Sequence, residues 1–377
     1  MRRLAVRKKQ SEGLYRRPVY FTLVVGGFMV FAIGAFVTFS ALPDVEYSRL
    51  AAMVASSTLA GPTMRERPVL DKELYDQRMW ELANNGTSTR PIAPTGTTTA
   101  TTTKKYLWPV KAAYPLGGAL LPFNRIVAYY GNFYSTRMGI LGEFDEATVL
   151  EKFRTQIAEW EKADPKTPVV PAIEYIAITA QESPVDGTYR ARMPHDQIDK
   201  AITMAEKVDG IVILDVQVGL STLQQELPLL EKYWKLPQVH MALDPEFSMK
   251  GGDRPGTVIG SYDAADINYA ANYLAKLVQE NNLPPKILIV HRFTQPMITS
   301  SKLIRPLPEV QVVMVMDGWG SPMRKIGTYQ AFIQTEPVQF TGFKIFYKND
   351  MRPPSTRLLT PSELLELTPR PIFIQYQ

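Results

Sequence analysis

The sequence predicts a (β/α)8 TIM-like barrel that lacks its last helix and is preceded by one transmembrane helix and an extended linker. Three observations predict this arrangement. An uncharged apolar segment covers residues 18–43, a Thr- and Pro-rich segment covers residues 84–105, and apolar β-branched runs alternate with helical patterns from Arg125 onward. These features divide the chain into a basic cytoplasmic tail (1–17), a transmembrane helix (18–43), a partly helical linker (44–105) and an extracytoplasmic barrel (106–377).

The apolar segment 18–43 is long enough to cross a membrane, because about 20 helical residues cover the roughly 30 Å hydrocarbon core of a bilayer. Residues 1–17 before it are rich in Arg and Lys, whereas Asp44 and Glu46 follow it. The positive-inside rule therefore predicts a single-pass protein of the inner membrane, with a cytoplasmic N-terminus and a periplasmic barrel. Signal-peptide cleavage after residues 39–41 is the alternative, but signal peptides have apolar cores of only about 7–15 residues.

Small residues recur on one face of the predicted span. Gly27, Gly34 and Ala41 are spaced seven positions apart, and such a row lets another transmembrane helix approach closely. This face predicts packing against the transmembrane helices of a membrane complex. The other interpretation is that glycine is simply common in membrane helices.

The linker begins with a helical pattern and then loses its apolar residues. Tyr75, Met79 and Leu82 recur at helical spacing within residues 71–82, which predicts a short amphipathic helix. Residues 84–105 are dominated by Thr and Pro and cannot bury a core, which is typical of an extended tether.

The barrel prediction rests on eight near-continuous hydrophobic runs, the pattern of parallel strands that are covered on both faces. Helical periods lie between the runs; Val149, Phe153 and Ile157 share one face, and a capping box begins at Thr360. The runs cover residues 125–132, 168–178, 210–217, 239–246, 286–293, 310–318, 341–347 and 371–377.

An open doubly wound sheet is the alternative fold. Its phosphate-binding turn, G-x-G-x-x-G, is missing after the first run, where the chain reads Gly131-Asn132-Phe133. Eight strand–helix units over about 250 residues are what a (β/α)8 barrel requires. Because the pattern stops on the eighth strand, we expect residues 44–83 or a partner to cover the groove between the first and last strands.

Composition excludes several classes of function. The chain has no cysteine, which excludes disulfides, thiolate metal sites and thiol nucleophiles. The formal net charge of +5 is concentrated in residues 1–17, so the rest of the chain lacks the footprint that nucleic-acid binding needs. Of three histidines only His291 ends a strand run, so we expect no metal site, and we find no motif for a cofactor.

Acidic residues end several of the strand runs. Active sites of (β/α)8 barrels lie at the C-terminal ends of the strands, so Asp215, Asp244, Glu246 and Asp317 are expected to meet at one mouth. Two carboxyl groups about 5–9 Å apart carry out glycoside hydrolysis, one as acid and the other as nucleophile or base. Glu246 is the predicted acid, with Asp215 or Asp317 as its partner. The other interpretation is that such acids cap helices or pair with arginines such as Arg292.

The same strand ends supply candidate substrate-binding residues. They combine aromatic rings, on which a sugar could stack, with polar groups that could bind its hydroxyls. The candidates are Tyr130, Asn132, Glu174, His291, Trp319 and Tyr347.

Five stretches between Arg125 and Trp319 carry a resemblance to known proteins. They read YYGNFYSTRMGILGE, ILDVQVG, VHMALDPEFSM, GSYDAADINYA and KILIVHRFT. They resemble a family of uncharacterised exported bacterial (β/α)8-barrel proteins whose layout is similar to that of glycoside hydrolases. The resemblance implies the fold and export, and no established activity comes with it. The plan of the chain is also similar to that of single-span accessory subunits of photosynthetic reaction-centre and light-harvesting complexes.

Two hypotheses from different classes follow. The first is a membrane-anchored extracytoplasmic accessory subunit of a large membrane complex, held by the lipid bilayer and by neighbouring transmembrane helices, with a photosynthetic complex as one setting. The alternative is a glycosidase-like hydrolase that acts on envelope polysaccharide through a carboxylate pair. From the sequence we favour the accessory subunit, because no single acid at a strand end is diagnostic of catalysis.

Overall fold

The computed structural model describes residues 67–86, 107–184 and 186–377 of the chain. The predicted span, residues 18–43, lies outside this part together with its row of small residues and most of the predicted linker. Within the described residues, no helix is both long and apolar enough to cross a membrane. The membrane anchor therefore stays a prediction.

Eight parallel strands close into a barrel, as the sequence predicts. Each strand pairs with the next along the chain, and the last returns to the first, with Ile126 opposite Phe373. Every strand falls on one of the predicted runs. The strands are β1 (Arg125–Gly131), β2 (Val169–Ala180), β3 (Ile211–Val216), β4 (Val239–Leu243), β5 (Lys286–Arg292), β6 (Val310–Met316), β7 (Phe340–Ile345) and β8 (Phe373–Tyr376).

Three short strands lie outside the barrel wall. Arg190–Arg192 pairs antiparallel with the end of β2, and Tyr262–Asp263 pairs with Ile298–Thr299. The α-helices of the described residues are α1 (Lys72–Ala83), α2 (Ile140–Glu143), α3 (Glu146–Ala163), α4 (His195–Glu206), α5 (Leu223–Glu226), α6 (Glu231–Trp234), α7 (Ala264–Glu280), α8 (Pro322–Tyr329) and α9 (Pro361–Leu365).

Helices begin where a side chain satisfies the first free backbone N–H groups. The carboxylate of Asp145 accepts from the N–H of Thr148 at the start of α3. Asp263 and Thr360 form complete capping boxes at the starts of α7 and α9, and the second of these was predicted from the sequence. These caps fix where each helix leaves the barrel mouth.

Side chains of each strand alternate between the barrel interior and the surrounding helices. On β3, Ile211 and Ile213 belong to the interior cluster, whereas Val212 and Leu214 pack with the outer layer. The next inward position on this strand is Asp215. Polar side chains thus occupy the interior positions near the C-terminal ends, and apolar ones fill the middle of the barrel, while His240 and Gln311 are buried near the N-terminal ends.

Helix α1 closes the N-terminal end of the barrel. Its Tyr75 and Met79 are buried and pack with Leu121, Ile126 and Phe340 in the interior cluster. The helical pattern predicted at residues 71–82 is therefore confirmed. Because α1 lies at the end of the barrel, it does not cover the groove between β1 and β8.

Helix α3 packs over that groove. Trp160 of α3 is fully buried, and its indole Nε1 donates to the hydroxyl of Tyr376 on β8 at 2.9 Å. Phe153 of α3 also stacks on Tyr129 of β1, with ring centres 4.3 Å apart, so the helix contacts both strands of the groove. Residues 44–66 lie outside the described part of the chain, so their expected share in the cover stays a prediction.

Trp160→Ala is expected to destabilise the barrel by about 3–5 kcal/mol, because it removes a fully buried indole and leaves a cavity. Urea unfolding followed by intrinsic fluorescence measures the change. The neighbouring exposed residue offers a matched control, and Glu161→Ala should change the unfolding free energy by less than about 0.5 kcal/mol. Equal losses in both variants would contradict the assigned role of Trp160.

Candidate active site

A cavity of about 640 Å³ opens at the C-terminal ends of the barrel strands. This is the end at which (β/α)8 barrels carry their active sites. Three of the four predicted catalytic acids line it, namely Asp244, Glu246 and Asp317. Other polar and aromatic side chains of the wall include Tyr130, Gln217, Trp319, Arg324, Lys344 and Phe346.

His291 on β5 lies behind the cavity between two carboxyl groups. Its Nε2 is 3.3 Å from Oε1 of Glu174, and its Nδ1 is 3.3 Å from Oδ2 of Asp317. Burial alone would lower the pKa of His291, but Asp317 and Glu174 outweigh it and raise this pKa to about 9. The imidazole is therefore a cation near neutral pH and holds Asp317 in place.

Lys344 on β7 is a second buried cation. Its Nζ is 3.0 Å from Oδ1 of Asp317 and 4.0 Å from the centre of the Tyr130 ring. Burial would lower the pKa of Lys344, but the carboxylates of Asp317, Asp244 and Glu174 raise it instead. Lys344 was not singled out from the sequence. A lone lysine at an inward position of an apolar strand was the available signal, because buried lysines are rare unless paired.

Asp215 on β3 is fully buried and does not line the cavity. Its Oδ2 accepts a hydrogen bond of 2.9 Å from the hydroxyl of Tyr130, and that hydroxyl accepts one of 3.2 Å from Nε2 of Gln217. Burial and the charge of Glu174 raise the pKa of Asp215 to about 6, against the opposing charge of His291. Asp215 therefore supports Tyr130 from behind.

Glu246 lies on the turn that follows β4 and faces the cavity. Its backbone N–H donates to Oδ1 of Asp244 at 3.1 Å, which fixes the turn. Burial and the nearby charge of Asp317 raise the pKa of Glu246 to about 7, although Lys344 and His291 act in the opposite direction. Glu246 can therefore hold a proton near neutral pH.

The interior of the mouth holds more carboxyl groups than cations. If all of them ionised, the cluster would keep an excess of buried negative charge, so some must retain protons. Burial raises the pKa of Asp244 well above its usual range, and Asp215 and Glu246 add to this effect while His291 opposes it. The buried carboxyl groups are Glu174, Asp215, Asp244 and Asp317, Glu246 is partly buried and faces the cavity, and the buried cations against them are His291 and Lys344.

Trp319 lies at the rim of the cavity, where 45% of its surface is exposed. The guanidinium groups of Arg324 and Arg352 lie 5.7 and 5.4 Å from the centre of its indole. These contacts hold the ring at the entrance. An exposed, fixed indole is a suitable surface for the apolar face of a sugar ring.

Four of the six predicted binding residues do not line the cavity. Glu174 and His291 are fully buried behind it, and Asn132 and Tyr347 lie away from it. The amide of Asn132 is buried and donates to the carbonyl of Ile176 at 3.1 Å. Tyr347 follows β7 on the outward side, and its hydroxyl donates to Oε1 of Gln156 on α3 at 2.9 Å. Tyr347 faces outward because side chains alternate along a strand and Lys344 and Phe346 take the inward positions.

The raised pKa of Glu246 predicts a pH-dependent stability. The folded protein binds this proton more tightly than the unfolded chain does, since the pKa rises from 4.5 to about 7. The stabilisation is therefore complete below about pH 4.5 and is lost as pH rises to about 7. Across this window Glu246→Gln should gain roughly 1–3 kcal/mol of unfolding free energy relative to wild type.

Urea unfolding of both proteins at pH 4.5 and pH 7.5 measures this gain. The exposed Glu161→Gln, which should follow wild type at both values, is the control. A constant difference between Glu246→Gln and wild type would show that Glu246 has an ordinary proton affinity.

Among the described residues, no group of His, Asp and Glu side chains is arranged to hold a metal ion. Neither a family model nor a curated protein matches the chain. Solved structures with a detectable similarity include two mannanases and an isomerase. The chain is 12% identical to a ruminal GH26 endo-β-1,4-mannanase, with a TM-score of 0.32 over 67% of this chain and 58% of that one.

The other two are a sugar phosphate isomerase/epimerase from Parabacteroides distasonis and the mannanase BCman of Bacillus subtilis. Each is 10% identical, with TM-scores of 0.31 and 0.33. They cover 71% and 68% of this chain and 90% and 81% of their own. At these values the similarity says nothing about the reaction, and the chemistry has to be argued from the cavity itself.

Proposed function

We propose that the protein is a glycosidase-like hydrolase in which Glu246 is the general acid and Asp317 the second carboxylate. The supporting observation is that both residues line one cavity in opposite electrostatic settings. Burial and Asp317 raise the pKa of Glu246 to about 7, whereas the cations of His291 and Lys344 lie against Asp317. An acid that can hold its proton near neutral pH and a carboxyl group held between two cations thus face the same cavity.

Cleavage of a glycosidic bond needs both groups. The acid protonates the leaving oxygen while the carboxylate either attacks the anomeric carbon or activates a water molecule. In this site Glu246 gives its proton to the leaving oxygen, and Asp317 acts on the anomeric carbon or on the water. His291 and Lys344 contact Asp317 and hold it in a fixed position. Of the two partners considered for Glu246, Asp317 fits better, because Asp215 does not reach the cavity.

The shape of the cavity suits an oligosaccharide. Its volume of about 640 Å³ lies within the roughly 300–1,000 Å³ of common ligand pockets. Trp319 at the rim offers a stacking surface, while the carboxyl groups deeper inside can accept hydrogen bonds from hydroxyls. Together with the predicted extracytoplasmic location, these features support an envelope polysaccharide as the substrate.

The accessory-subunit hypothesis depends mainly on residues 18–43 and 84–105, most of which lie outside the described residues. Neither the described barrel nor the comparisons support a photosynthetic complex. The buried cluster of carboxyl groups and cations at the barrel mouth, in which the pKa of Glu246 is raised, is a more specific observation than the plan of the chain. It favours the hydrolase. Packing of Gly27, Gly34 and Ala41 against other transmembrane helices stays a prediction.

The proposal is tested by incubating the detergent-solubilised full chain with a panel of envelope and plant glycans. We expect the release of new reducing ends from at least one glycan. A double variant, Glu246→Gln with Asp317→Asn, should release none. Equal release by the double variant would show that the activity arises elsewhere, and no release by the wild type from any glycan would count against the hydrolase.

The predicted topology has its own test. Protease added to cells with only the outer envelope permeabilised should digest the barrel and leave residues 1–17 protected, because the positive-inside rule places that tail in the cytoplasm. Immunoblotting with tags at either end of the chain follows both parts. Protection of the barrel together with loss of the N-terminal tag would reverse the predicted orientation.

A further inference from the structure

A second cavity lies at the N-terminal end of the barrel, opposite the candidate active site. It encloses about 110 Å³ between the end of α1, the start of β1, the loop after α3 and the segment before β8. Its wall is rich in charged side chains. They are the cations Arg78, Arg125, Lys166 and Arg370 and the anions Glu81 and Asp164.

Two of these cations have carboxylate partners. Nη1 of Arg78 is 3.1 Å from Oε2 of Glu81, and Nη2 of Arg125 is 3.0 Å from Oδ2 of Asp164. No carboxylate of the described residues pairs with Lys166 or Arg370. This cavity, which we call the basal cavity, therefore has an excess of positive charge.

Arg125 adds a buried charge to the wall of this cavity. The side chain is fully buried, and its Nε and Nη1 find no hydrogen-bond partner in the described part of the chain. Its guanidinium lies 5.0 Å from the centre of the Trp160 ring and lines the cavity. Because Nε and Nη1 are closed to solvent, Arg125 acts on an anion in the cavity through its charge.

Arg370 is held at its base, and within the described residues its terminal nitrogens donate no hydrogen bond. Its backbone N–H donates to the carbonyl of Leu82 at 2.7 Å, and its Nε donates to the carbonyl of Leu365 at 2.9 Å. Gly86, with φ of +74°, lies against the guanidinium, and a Cβ there would be 3.1 Å from both Nη1 and Nη2. The missing side chain at Gly86 therefore gives room to a guanidinium that is held at its base.

We propose that the basal cavity binds a phosphate group. Guanidinium groups match tetrahedral oxyanions with paired N–H donors, and Lys166 adds a point charge at the exposed side. The small volume admits a phosphate group and little more. Phosphate sites of (β/α)8 barrels usually lie at the C-terminal face, so this site is separate from the proposed hydrolysis and does not depend on it.

Calorimetric titration of the full chain tests the proposal, in a maltoside detergent that carries no phosphate and at fixed ionic strength. The probes are inorganic phosphate and glycerol 1-phosphate. Arg370→Met should weaken binding of both by about 10- to 100-fold, because it removes charged hydrogen bonds. Lys166→Met, an exposed residue, should weaken it by about two- to fivefold and leave the melting temperature unchanged.

Arg352→Met is the matched control, because Arg352 lies by Trp319 at the other end of the barrel. Tighter binding of glycerol 1-phosphate than of inorganic phosphate would indicate that the natural ligand is a phosphoester such as a lipid headgroup. Equal binding of the two probes would indicate that it is free phosphate. The proposal is overturned if wild type binds neither probe, or if Arg370→Met and Lys166→Met bind as well as Arg352→Met does.

Discussion

Glu246→Gln is expected to lower kcat on the cleaved glycan by about 10²–10⁴-fold, the usual contribution of general acid–base catalysis. Glutamine keeps the shape of the side chain on the turn after β4 but cannot give a proton to the leaving oxygen. The loss should be much smaller for an aryl glycoside with a very acidic phenol, because such a leaving group departs without protonation. Initial rates on both kinds of substrate measure the effect.

The dependence of the rate on pH is an independent test of Glu246 as the acid. Glu246 acts in its protonated form, so the wild-type rate should fall as pH rises through about 7, where this residue loses its proton. Glu246→Gln should lose this basic limb. The exposed Glu161→Gln should keep both the rate and the limb of wild type. Full activity of Glu246→Gln on the natural glycan would rule out Glu246 as the acid.

The barrel could be predicted from sequence because its signals are local. A strand that is covered on both faces must be apolar over most of its length, and the central residues 126–130 of β1 and 287–290 of β5 show this directly. Caps such as Thr360 mark helix starts within four residues of sequence. The meeting of Asp244, Glu246 and Asp317 at one cavity could also be predicted, because all strands of the barrel end at the same mouth.

The electrostatics of the site could not be predicted, because they depend on distant pairs. Glu174 and His291 are 117 positions apart, and no local pattern shows that they touch. The face of the strand on which a side chain lies matters as well. Tyr347 ends its run, yet alternation turns it outward and brings Lys344 into the mouth. Similarly, the reach of α3 over the groove between β1 and β8 depends on packing and not on spacing.

Asp317→Asn is expected to lower kcat by about 10²–10⁴-fold, because the amide can neither attack the anomeric carbon nor take a proton from water. Azide added to Asp317→Ala should restore part of the rate, because a small anion can enter the space left by the carboxylate and attack the anomeric carbon, which gives a glycosyl azide of inverted configuration. The wild-type product shows which role Asp317 has: retained configuration at the anomeric carbon means a nucleophile, and inverted configuration means a base that activates water. Proton NMR of the sugar first released by the wild type distinguishes these outcomes.

The same substitution should change the proton affinity of Glu246. Asp317 is the nearby charge that raises the pKa of Glu246, whereas Lys344 lowers it. The basic limb of the residual activity should therefore move to lower pH in Asp317→Asn and to higher pH in Lys344→Met. Shifts of the basic limb in opposite directions would mean that the charges of Asp317 and Lys344 both act on one titrating acid in the cavity. Two shifts of the same sign, or none, would mean that the limb belongs to a different group and that Asp317 is not the partner of Glu246.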